Sequence, residues 1–329
     1  MTFEKVLVTG GAGRLGRYVV KELAGHCRVS VLDRPGASPP AANLSADVHD
    51  RTERPPAPIG LSVDVLDLDA LSVAMQGHDA VVHLAAIDSS VTAAPEAVFD
   101  ANVRGTWNAL HAADRAGVGK VVICSSVSAT GIDYTNPQLP PLYLPVDEAH
   151  PLRPSQAYGL SKQLDELIGR SFGSRGRMEV TCLRPSWVLF PEAARRVIGH
   201  RRGAVPPDPS SNPVAPSGRH REPLPLLRSY VSPEDAARAF RLALELRGAP
   251  YDVFLITARD TFETEPTLAH LERTYGRLPE VRKPEVYEAN PHASAFDISR
   301  AREILGWSPS SGWNEFAARF DKGAEDSQP

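Results

Sequence analysis

The sequence is poor in cysteine. Its 329 residues include only Cys27, Cys124 and Cys182, which are far apart and each lie in or beside an apolar run. An odd, scattered set of this kind fits buried thiols in a reducing compartment better than a disulfide framework. We therefore expect a cytoplasmic protein.

The chain also lacks a marked excess of either charge and any long apolar run. Lys and Arg total 36 against 40 for Asp and Glu, a formal charge of −4, so charge gives no reason to expect nucleic acid or an anionic membrane. No stretch approaches the roughly 20 apolar residues of a membrane span. The N-terminal MTFEKVLVTGG is typical of a first strand rather than a signal peptide. We expect a small-molecule partner, with no nucleic acid and no membrane.

Proline, by contrast, is abundant. Most of the 30 prolines lie in three clusters, from Pro35 to Pro58, from Pro137 to Pro154 and from Pro191 to Pro225. These clusters predict long surface connections that are either functional or disordered. Hydrophobic residues at 42% and charged residues at 23% are near the globular average and exclude wholesale disorder.

Between the proline clusters, short apolar runs alternate with helical patterns. The predicted strands are residues 5–9, 29–32, 61–63, 80–84, 120–124 and 180–183. The predicted helices are residues 15–24, 99–116 and 157–172. Continuous Val-, Ile- and Leu-rich strands that alternate with helices are typical of a parallel sheet covered on both faces. The pattern predicts an α/β fold with a doubly wound, Rossmann-type sheet.

A glycine turn follows the first predicted strand. The segment Thr9–Gly16 reads TGGAGRLG, with Gly10, Gly13 and Gly16 three residues apart at the start of a helix. Glycines there permit a tight turn and a close backbone approach to a pyrophosphate, and the helix N-terminus offers N–H groups to the phosphates. Asp33 ends the second strand, where a carboxylate can accept hydrogen bonds from the adenosine ribose. These features predict a dinucleotide site.

The choice between NAD and NADP depends on three residues. The Asp33 carboxylate would repel a 2′-phosphate and favours NAD, whereas Arg14 and Arg34 could hold that phosphate or simply be surface arginines. NAD is the expected cofactor, and NADP stays open.

From residue 191 onward the alternation weakens. Ser232 as N-cap, Pro233 and two acids predict a helix from 233 to 246. A strand at 251–256 and short helices at 264–275 and 298–305 would complete a smaller lobe. We predict a dinucleotide-binding domain over residues 1–190, onto which 229–247 packs back. The substrate-binding lobe would comprise residues 191–228 and 248–329.

Further motifs follow the glycine turn in a fixed order. They are Asp64-Val65, His83-Leu84-Ala85-Ala86, Asn102-Val103-Arg104-Gly105-Thr106, Ser125-Ser126, Tyr158-Gly159-Leu160-Ser161-Lys162, Leu183-Arg184-Pro185, Tyr230-Val231 and Leu305-Gly306-Trp307. In this order they resemble the extended short-chain dehydrogenases/reductases, specifically the NAD-dependent epimerase/dehydratase group, over nearly the whole chain.

The resemblance implies roles for several residues. Asp64 and Val65 would contact the adenine, residues 84–86 would line the cofactor, and Asn102 would brace the central sheet. The full predicted cofactor-binding set is Gly10, Gly13, Arg14, Leu15, Gly16, Asp33, Arg34, Asp64, Val65, Leu84, Ala85, Ala86, Asn102, Ser125, Tyr158, Lys162, Pro185, Ser186 and Val188. No metal is expected.

Three residues form the predicted catalytic group. Tyr158 and Lys162 are spaced i, i+4 and share a helix face. A free tyrosine has a pKa of about 10, and a neighbouring ammonium together with the oxidised nicotinamide would lower that pKa and make the phenol a usable base. Ser126 ends the fifth strand and would hold the substrate oxygen. Ser125 and Ser128 compete for that role; the resemblance favours Ser126, five residues before Gly131.

Two departures from the family pattern bear on the reaction. Thr130 stands where the family often has a tyrosine, which alters a substrate contact. Val127-Ser128 follows Ser126 where dehydratases carry Asp-Glu, so the elimination of water is disfavoured for want of an acid/base pair.

The substrate contacts are predicted by analogy. The candidate residues are Asp88, Ser89, Val127, Ser128, Trp187 and Arg228, with Ser90 in the same loop as Ser89. In sugar-nucleotide enzymes an arginine near the position of Arg228 grips the diphosphate. A run of arginines could add positive potential: Arg195, Arg196, Arg201 and Arg202. The favoured interpretation of this run is a solvated basic helix face. The prolines around it suggest an altered lid over the substrate site.

Three functions follow from the sequence. The first is an NAD-dependent oxidoreductase or epimerase that acts on a secondary alcohol of a sugar or sugar-nucleotide-like substrate. The second is an NAD(P)H-dependent reductase of a non-sugar carbonyl compound, and the third is a catalytically silent dinucleotide sensor. The family often dimerises through helices that include the Tyr158 segment, so a homodimer is also expected.

Overall fold

The computed structural model describes residues 3–37, 57–88, 93–132, 139–201 and 226–320. Ser89, Ser90, Arg202 and parts of all three proline clusters lie outside these ranges. The strands within them are β1 (Lys5–Thr9), β2 (Arg28–Asp33), β3 (Ile59–Ser62), β4 (Ala80–His83), β5 (Lys120–Cys124), β6 (Tyr143–Leu144), β7 (Glu179–Pro185), β8 (Trp187–Val188), β9 (Tyr230–Val231), β10 (Tyr251–Ile256) and β11 (Glu280–Val281).

The same ranges contain short and long helices. The α-helices are α1 (Arg14–Ala24), α2 (Leu68–Ala74), α3 (Pro95–Phe99), α4 (Gly105–Ala116), α5 (Ala157–Gly173), α6 (Pro191–Arg201), α7 (Pro233–Glu245), α8 (Thr267–Tyr275), α9 (Pro284–Ala289), α10 (Ser299–Glu303) and α11 (Trp313–Ala318). A π-helical turn spans Asp100–Arg104, and 3₁₀ turns span Val127–Thr130 and Leu226–Arg228. None of these helices is long and apolar enough to cross a bilayer.

A parallel sheet of seven strands forms the centre of the fold. Its order is β10-β7-β5-β4-β1-β2-β3, which confirms the predicted doubly wound sheet. Strands β1, β2 and β3 follow one another toward one edge of the sheet, and β4, β5, β7 and β10 follow one another toward the other edge. The chain therefore reverses its direction of winding between β1 and β4. In sheets of this class, ligands bind in the crevice outside the carboxyl ends of the strands at that point.

Helices cover both faces of the sheet because each strand is apolar on both sides. Val6 and Val8 of β1 pack with α1 and α7, whereas Leu7 between them packs with α2, α4 and α5. Successive side chains of a strand point to opposite faces, so one continuous apolar run supplies both cores.

One predicted boundary is wrong. Strand β10, expected in the smaller lobe, pairs in parallel with β7 and extends the central sheet. Phe254 and Ile256 join one core cluster and Leu255 another, so the strand is buried on both faces like the other members of the sheet. The remaining domain boundaries stay a prediction.

Outside the central sheet, short pairs of strands organise the remaining elements. Strand β6 pairs with β11, and β8 pairs with β9. Residues 191–201 were expected in a proline-rich connection but form α6, since Pro191 occupies only the first position of the helix. Arg195 and Arg196 are exposed on α6, as a solvated helix face requires.

Candidate active site

The glycine turn lies at the carboxyl end of β1. Gly10 has φ of +69°, and a Cβ there would come within 2.7 Å of the Ala85 nitrogen. A Cβ on Gly16 would come within 2.2 Å of the Gly10 carbonyl oxygen. Gly13 is the N-cap of α1 and has no side chain to accept from the first-turn N–H groups. The turn is therefore a tight cradle whose amides suit the diphosphate of a dinucleotide.

Asp33 borders this turn from the end of β2. Its Oδ2 accepts a hydrogen bond from the Ala12 N–H at 3.0 Å, and its Oδ1 accepts from the Arg34 N–H at 2.9 Å. Arg34 is exposed. The Arg14 guanidinium lies 4.0 Å from the centroid of the Phe190 ring and pairs with Glu192 of α6. Arg14 therefore already has partners within the protein, and a 2′-phosphate would have to compete with them.

The loop after β3 is held against α4. Asp64 Oδ1 accepts from the Leu66 N–H at 2.9 Å, and Asn108 Nδ2 donates to the Val65 carbonyl at 3.1 Å. A Cβ on Gly105 would come within 2.9 Å of Val65 Cγ2, so the absence of a side chain there lets the loop approach the helix. Asp64 and Val65 therefore lie in a braced turn at the end of the neighbouring strand.

Asn102 joins the loop after β4 to α5. This fully buried residue lies in the π-helical turn. Its Oδ1 accepts from the Ile87 N–H at 2.7 Å, and its Nδ2 donates to the Ile87 carbonyl at 3.1 Å and to Ser161 Oγ at 2.9 Å. The brace is between a loop and a helix rather than within the sheet. It steadies the 84–86 loop and the turn of α5 that contains Tyr158.

The structure brings Ser126, Tyr158 and Lys162 together. Ser126 caps the 3₁₀ turn after β5, where its Oγ accepts from the Ser128 N–H at 3.1 Å. The Ser126 side chain lies close enough to the Tyr158 phenol to lower its pKa. A Cβ on Gly159 would come within 2.6 Å of the Ser128 carbonyl oxygen, so this glycine lets α5 approach the serine turn.

Burial and the Lys162 ammonium act on the pKa of Tyr158 in opposite directions. Burial raises the pKa of Tyr158 to about 12, although Lys162 and Ser126 lower it. The Lys162 Nζ lies 5.8 Å from the centroid of the tyrosine ring, and it donates to the Cys124 carbonyl at 2.9 Å. Lys162 therefore acts on the pKa in the expected direction, but desolvation of the phenolate outweighs it in the protein alone. The further lowering expected from the nicotinamide stays a prediction.

Ser125 is directed away from the tyrosine. Its hydroxyl donates to Glu166 Oε1 at 2.5 Å, and Glu166 forms a bidentate pair with Arg184 at 2.8 and 2.7 Å. The hydroxyl of Ser125 therefore belongs to a buried network between α5 and β7. This arrangement leaves Ser126 as the strand-end serine that faces Tyr158.

Comparisons with known proteins agree with this geometry. The profile of the NAD dependent epimerase/dehydratase family matches residues 6–257. The chain belongs to this family. It is an NAD-dependent enzyme of the extended short-chain dehydrogenase/reductase type, and the glycine cradle beside Asp33 fits that cofactor.

Relatives of this family member include dehydrogenases and epimerases. The L-arabinose 1-dehydrogenase (NAD(P)(+)) of Haloferax volcanii is 30% identical over 263 residues, which cover 78% of this chain and 89% of that protein. The UDP-glucose 4-epimerase of Streptomyces lividans is 30% identical over 336 residues, 93% of this chain and 92% of that protein. The structure of MoeE5 in complex with UDP-glucuronic acid and NAD shares the fold, with a TM-score of 0.66 at 21% identity, and covers 97% of this chain and 99% of that one.

The predicted substrate residues of this epimerase/dehydratase family enzyme lie in different surroundings. Asp88 is exposed, and its charge raises the pKa of Tyr158. The Val127 side chain is fully buried among apolar residues of the smaller lobe, which leaves it no open surface for a ligand. Trp187 packs edge-on against Phe262, with 5.9 Å between ring centroids. Ser128 is buried, and Ser89 lies beyond what the structure describes.

The other predicted residues after β7 are tied to its neighbour β10. Pro185 is the buried last residue of β7. The Ser186 N–H donates to the Ile256 carbonyl at 3.0 Å, and its Oγ donates to Thr257 Oγ1 at 3.0 Å. Val188 is half-buried in β8. The side chains of Ser186 and Val188 thus lie at the carboxyl end of the sheet, with Ser186 already bonded to the protein.

Arg228 of the family enzyme is bound to an internal carboxylate. Its Nε lies 3.2 Å from Glu263 Oε2, and the two side chains are 13% and 21% exposed. Arg228 and Leu227 have φ of +59° and +58°, an uncommon conformation for residues other than glycine. The backbone turn thus directs this arginine into the smaller lobe, where Glu263 meets it.

Sequence reasoning missed two buried polar partners at the site. Asp165 pairs with Lys162, and its i, i+3 spacing on the same helix was a readable signal. His83 lies between Thr9 Oγ1, 2.7 Å from its Nδ1, and Thr106 Oγ1, 3.0 Å from its Nε2. Burial lowers the pKa of His83 to about 3, so it is neutral and ties β1 and β4 to α4.

Proposed function

We propose that this enzyme oxidises a secondary alcohol carbon of a sugar or sugar-like substrate, with Tyr158 as the general base. The observation that carries the proposal is the convergence of Ser126, Tyr158 and Lys162 at the carboxyl edge of the sheet, the edge that also carries the glycine turn. When bound, NAD supplies the hydride acceptor and a positively charged nicotinamide.

The chain's own groups would manage the proton. The Ser126 hydroxyl would donate to the substrate oxygen and orient it toward the phenol. Tyr158 would take the hydroxyl proton in oxidation and return it in reduction, and the Lys162 ammonium would stabilise the phenolate. Burial by itself raises the pKa of Tyr158, so the proton transfer depends on cations near the phenolate that lower the pKa again.

The state of Arg228 favours a substrate without a diphosphate. The resemblance assigns this position to diphosphate binding, but here Glu263 already neutralises the guanidinium in a largely buried pair. A diphosphate would have to displace a carboxylate and leave its charge poorly solvated. We therefore favour a free sugar or sugar acid and net dehydrogenation, as in the L-arabinose 1-dehydrogenase relative.

Epimerisation of a sugar nucleotide is the second candidate. The relative that supports it, the UDP-glucose 4-epimerase, aligns with 93% of this chain. An epimerase returns the hydride to the same carbon and would show no net NADH. Dehydration is disfavoured because Val127 and Ser128 supply no acid/base pair beside Ser126.

A substrate panel tests the two candidates. The purified enzyme would receive NAD with L-arabinose, D-glucuronate or UDP-glucose, and NADH would be followed by its absorbance. We expect NADH from a free sugar or sugar acid and none from UDP-glucose. Conversion of UDP-glucose to its 4-epimer without net NADH, by protein that retains NAD through gel filtration, would instead establish the second candidate.

We also propose that the enzyme is a homodimer built on α3, α4 and α5. Four large apolar side chains are exposed on these adjacent helices: Phe99, Trp107, Leu160 and Leu167. Such a concentration of apolar surface is typical of an interface, and the resemblance implies dimerisation through helices that include the Tyr158 segment.

A further inference from the structure

A buried ion pair between Lys162 and Asp165 lies close to the phenol of Tyr158. Asp165 comes one helical turn after Lys162 on α5, and their side chains are 1% and 5% exposed. The Lys162 Nζ donates to Asp165 Oδ2 at 3.1 Å and to the Cys124 carbonyl at the end of β5 at 2.9 Å. The ammonium is therefore held by two acceptors, on α5 and on β5.

Such a pair is a costly way to gain stability. Removing two charges from water often costs more than their attraction returns, and apolar side chains of similar volume can replace a pair without loss. Breaking a buried pair by removing one partner, in contrast, leaves a charge without compensation. The retained pair therefore points to a task for the ammonium that an apolar residue cannot perform.

The two groups keep each other ionised. Burial by itself lowers the pKa of Lys162, but Asp165 and then Tyr158 raise it, and the net shift is upward. Burial raises the pKa of Asp165 to about 6, although Lys162 and the Thr106 hydroxyl lower it. At neutral pH the pair therefore consists of a carboxylate and an ammonium.

We propose that Asp165 is a positioning residue that keeps the Lys162 ammonium charged and fixed between the end of β5 and the phenol of Tyr158. The inference rests on the proposed function, in which this ammonium stabilises the phenolate. Asp165 acts through Lys162, whose Nζ lies 5.8 Å from the centroid of the Tyr158 ring.

The other groups around the pair do not replace Asp165. The titratable groups that act on the pair or on the phenol are Tyr158 and Glu166 on α5, His83 on β4, Cys124 on β5, Cys182 on β7 and Asp88 in the loop after β4. Glu166 is occupied by its bidentate pair with Arg184. His83 is neutral because burial lowers its pKa. Among the residues that the structure describes, Asp165 is the carboxylate in contact with Lys162.

The melting temperature as a function of pH tests the proposal without any substrate. In the unchanged protein, the raised pKa of Lys162 gives a stabilising contribution that is complete below the ordinary lysine pKa of about 10.4 and is lost only as the pH rises beyond it. In Asp165→Asn, burial would lower the Lys162 pKa below that ordinary value. Folding then carries a cost at neutral pH that fades as the pH approaches about 10.4.

The expected result is a pH-dependent difference in Tm. We expect Asp165→Asn to melt about 5 °C below the unchanged protein at pH 7. We expect a smaller difference at pH 10, because the cost in the variant fades while the contribution in the unchanged protein persists up to about pH 10.4. The control is Asp114→Asn, which removes the pairs of a largely buried α4 carboxylate with Arg175 and Arg177 and leaves Lys162 untouched. A difference in Tm that is the same at pH 7 and pH 10 would show a packing role and overturn the proposal.

Kinetics with L-arabinose or D-glucuronate and NAD provide the second readout. We expect Asp165→Asn to lower kcat about tenfold or more at pH 7.5, with little change in the KM for the sugar, and Asp165→Glu to recover most of the loss. Wild-type kcat in Asp165→Asn would overturn the proposal. If the pH-dependent difference in Tm is found but Tyr158→Phe retains full activity, the proposed function fails and the electrostatic role of Asp165 in holding Lys162 charged stands.

Discussion

Three largely buried cations around the site are paired with carboxylates of the same chain. Lys162 pairs with Asp165, Arg184 with Glu166 and Arg228 with Glu263. Each pair lies largely out of solvent, so its geometry is set before a ligand arrives. Preorganised charge of this kind stabilises a transition state without the reorganisation that water would need. At the scale of single residues, the site is defined by which partner each cation has.

The pair of Arg228 with Glu263 leads to a prediction about substrate class. Glu263→Gln removes the competing charge and makes the guanidinium available to a diphosphate. We expect the Kd of UDP-glucose, measured by calorimetry with NAD present, to fall about fivefold or more, since charge-assisted hydrogen bonds to a diphosphate replace the lost pair.

The control for that prediction is Glu265→Gln, which lies on the same loop and pairs with Arg273 at 2.9 Å. It should leave UDP-glucose binding unchanged. An unaltered affinity in Glu263→Gln would show that this pair does not exclude diphosphates, and the preference for a free sugar would lose its structural support.

At the scale of elements, the glycine turn and α1 form the cofactor cradle because the glycines of the turn have no side chains to fill it. Gly16→Ala would push a Cβ to within 2.2 Å of the Gly10 carbonyl oxygen, which is backbone and can move only with the whole turn. We expect the Kd of NADH, measured by fluorescence, to rise about tenfold or more because the amides would no longer converge on the diphosphate.

Gly25→Ala provides the matched control for Gly16→Ala. Gly25 caps the other end of α1, and a Cβ there would lie 3.8 Å from the Glu22 carbonyl oxygen, an ordinary contact. This variant should bind NADH as the unchanged protein does. Equal NADH affinity in Gly16→Ala and Gly25→Ala would contradict the assignment of the cradle.

The elements with strong local signals could be predicted from the sequence. Strand β1, the glycine turn and α5 follow from apolar runs, glycine spacing and helical periodicity. Helix α2 (Leu68–Ala74) was missed because its seven residues are too few to show a helical period. Helix α6 was missed because it lies among prolines. The predicted helix at 99–116 begins with a π-helical turn at Asp100–Arg104, which contains the buried Asn102 and which a 3.6-residue period cannot show.

At the scale of the whole molecule, the chemistry of the site depends on distant parts of the chain. The sequence allowed the prediction of Ser126, Tyr158 and Lys162, but the raised pKa of Tyr158 is a consequence of burial by the assembled fold. Glu263 lies 35 positions after Arg228, and local spacing gave no sign of their pairing. Similarly, β10 could be assigned to the central sheet only when its pairing with β7 was seen.

The proposed dimer also belongs to this scale. Leu167→Glu places a charge on the exposed apolar surface of α5, and burying an unpaired charge in an interface is costly. We expect sedimentation to show a dimer for the unchanged protein and a monomer for this variant. Ile304→Glu, an exposed apolar residue next to α10, is the control and should stay dimeric. An unchanged protein that sediments as a monomer would contradict the interface.

The account depends most on the phenol of Tyr158, and one comparison tests it directly. Tyr158→Phe keeps the ring and removes the group that takes the proton. With NAD and a sugar that the unchanged enzyme oxidises, we expect the rate of NADH formation to fall by about a thousandfold or more, while the Kd of NADH stays within about twofold. Turnover near the unchanged rate in Tyr158→Phe, with the cofactor still bound, would contradict the central claim.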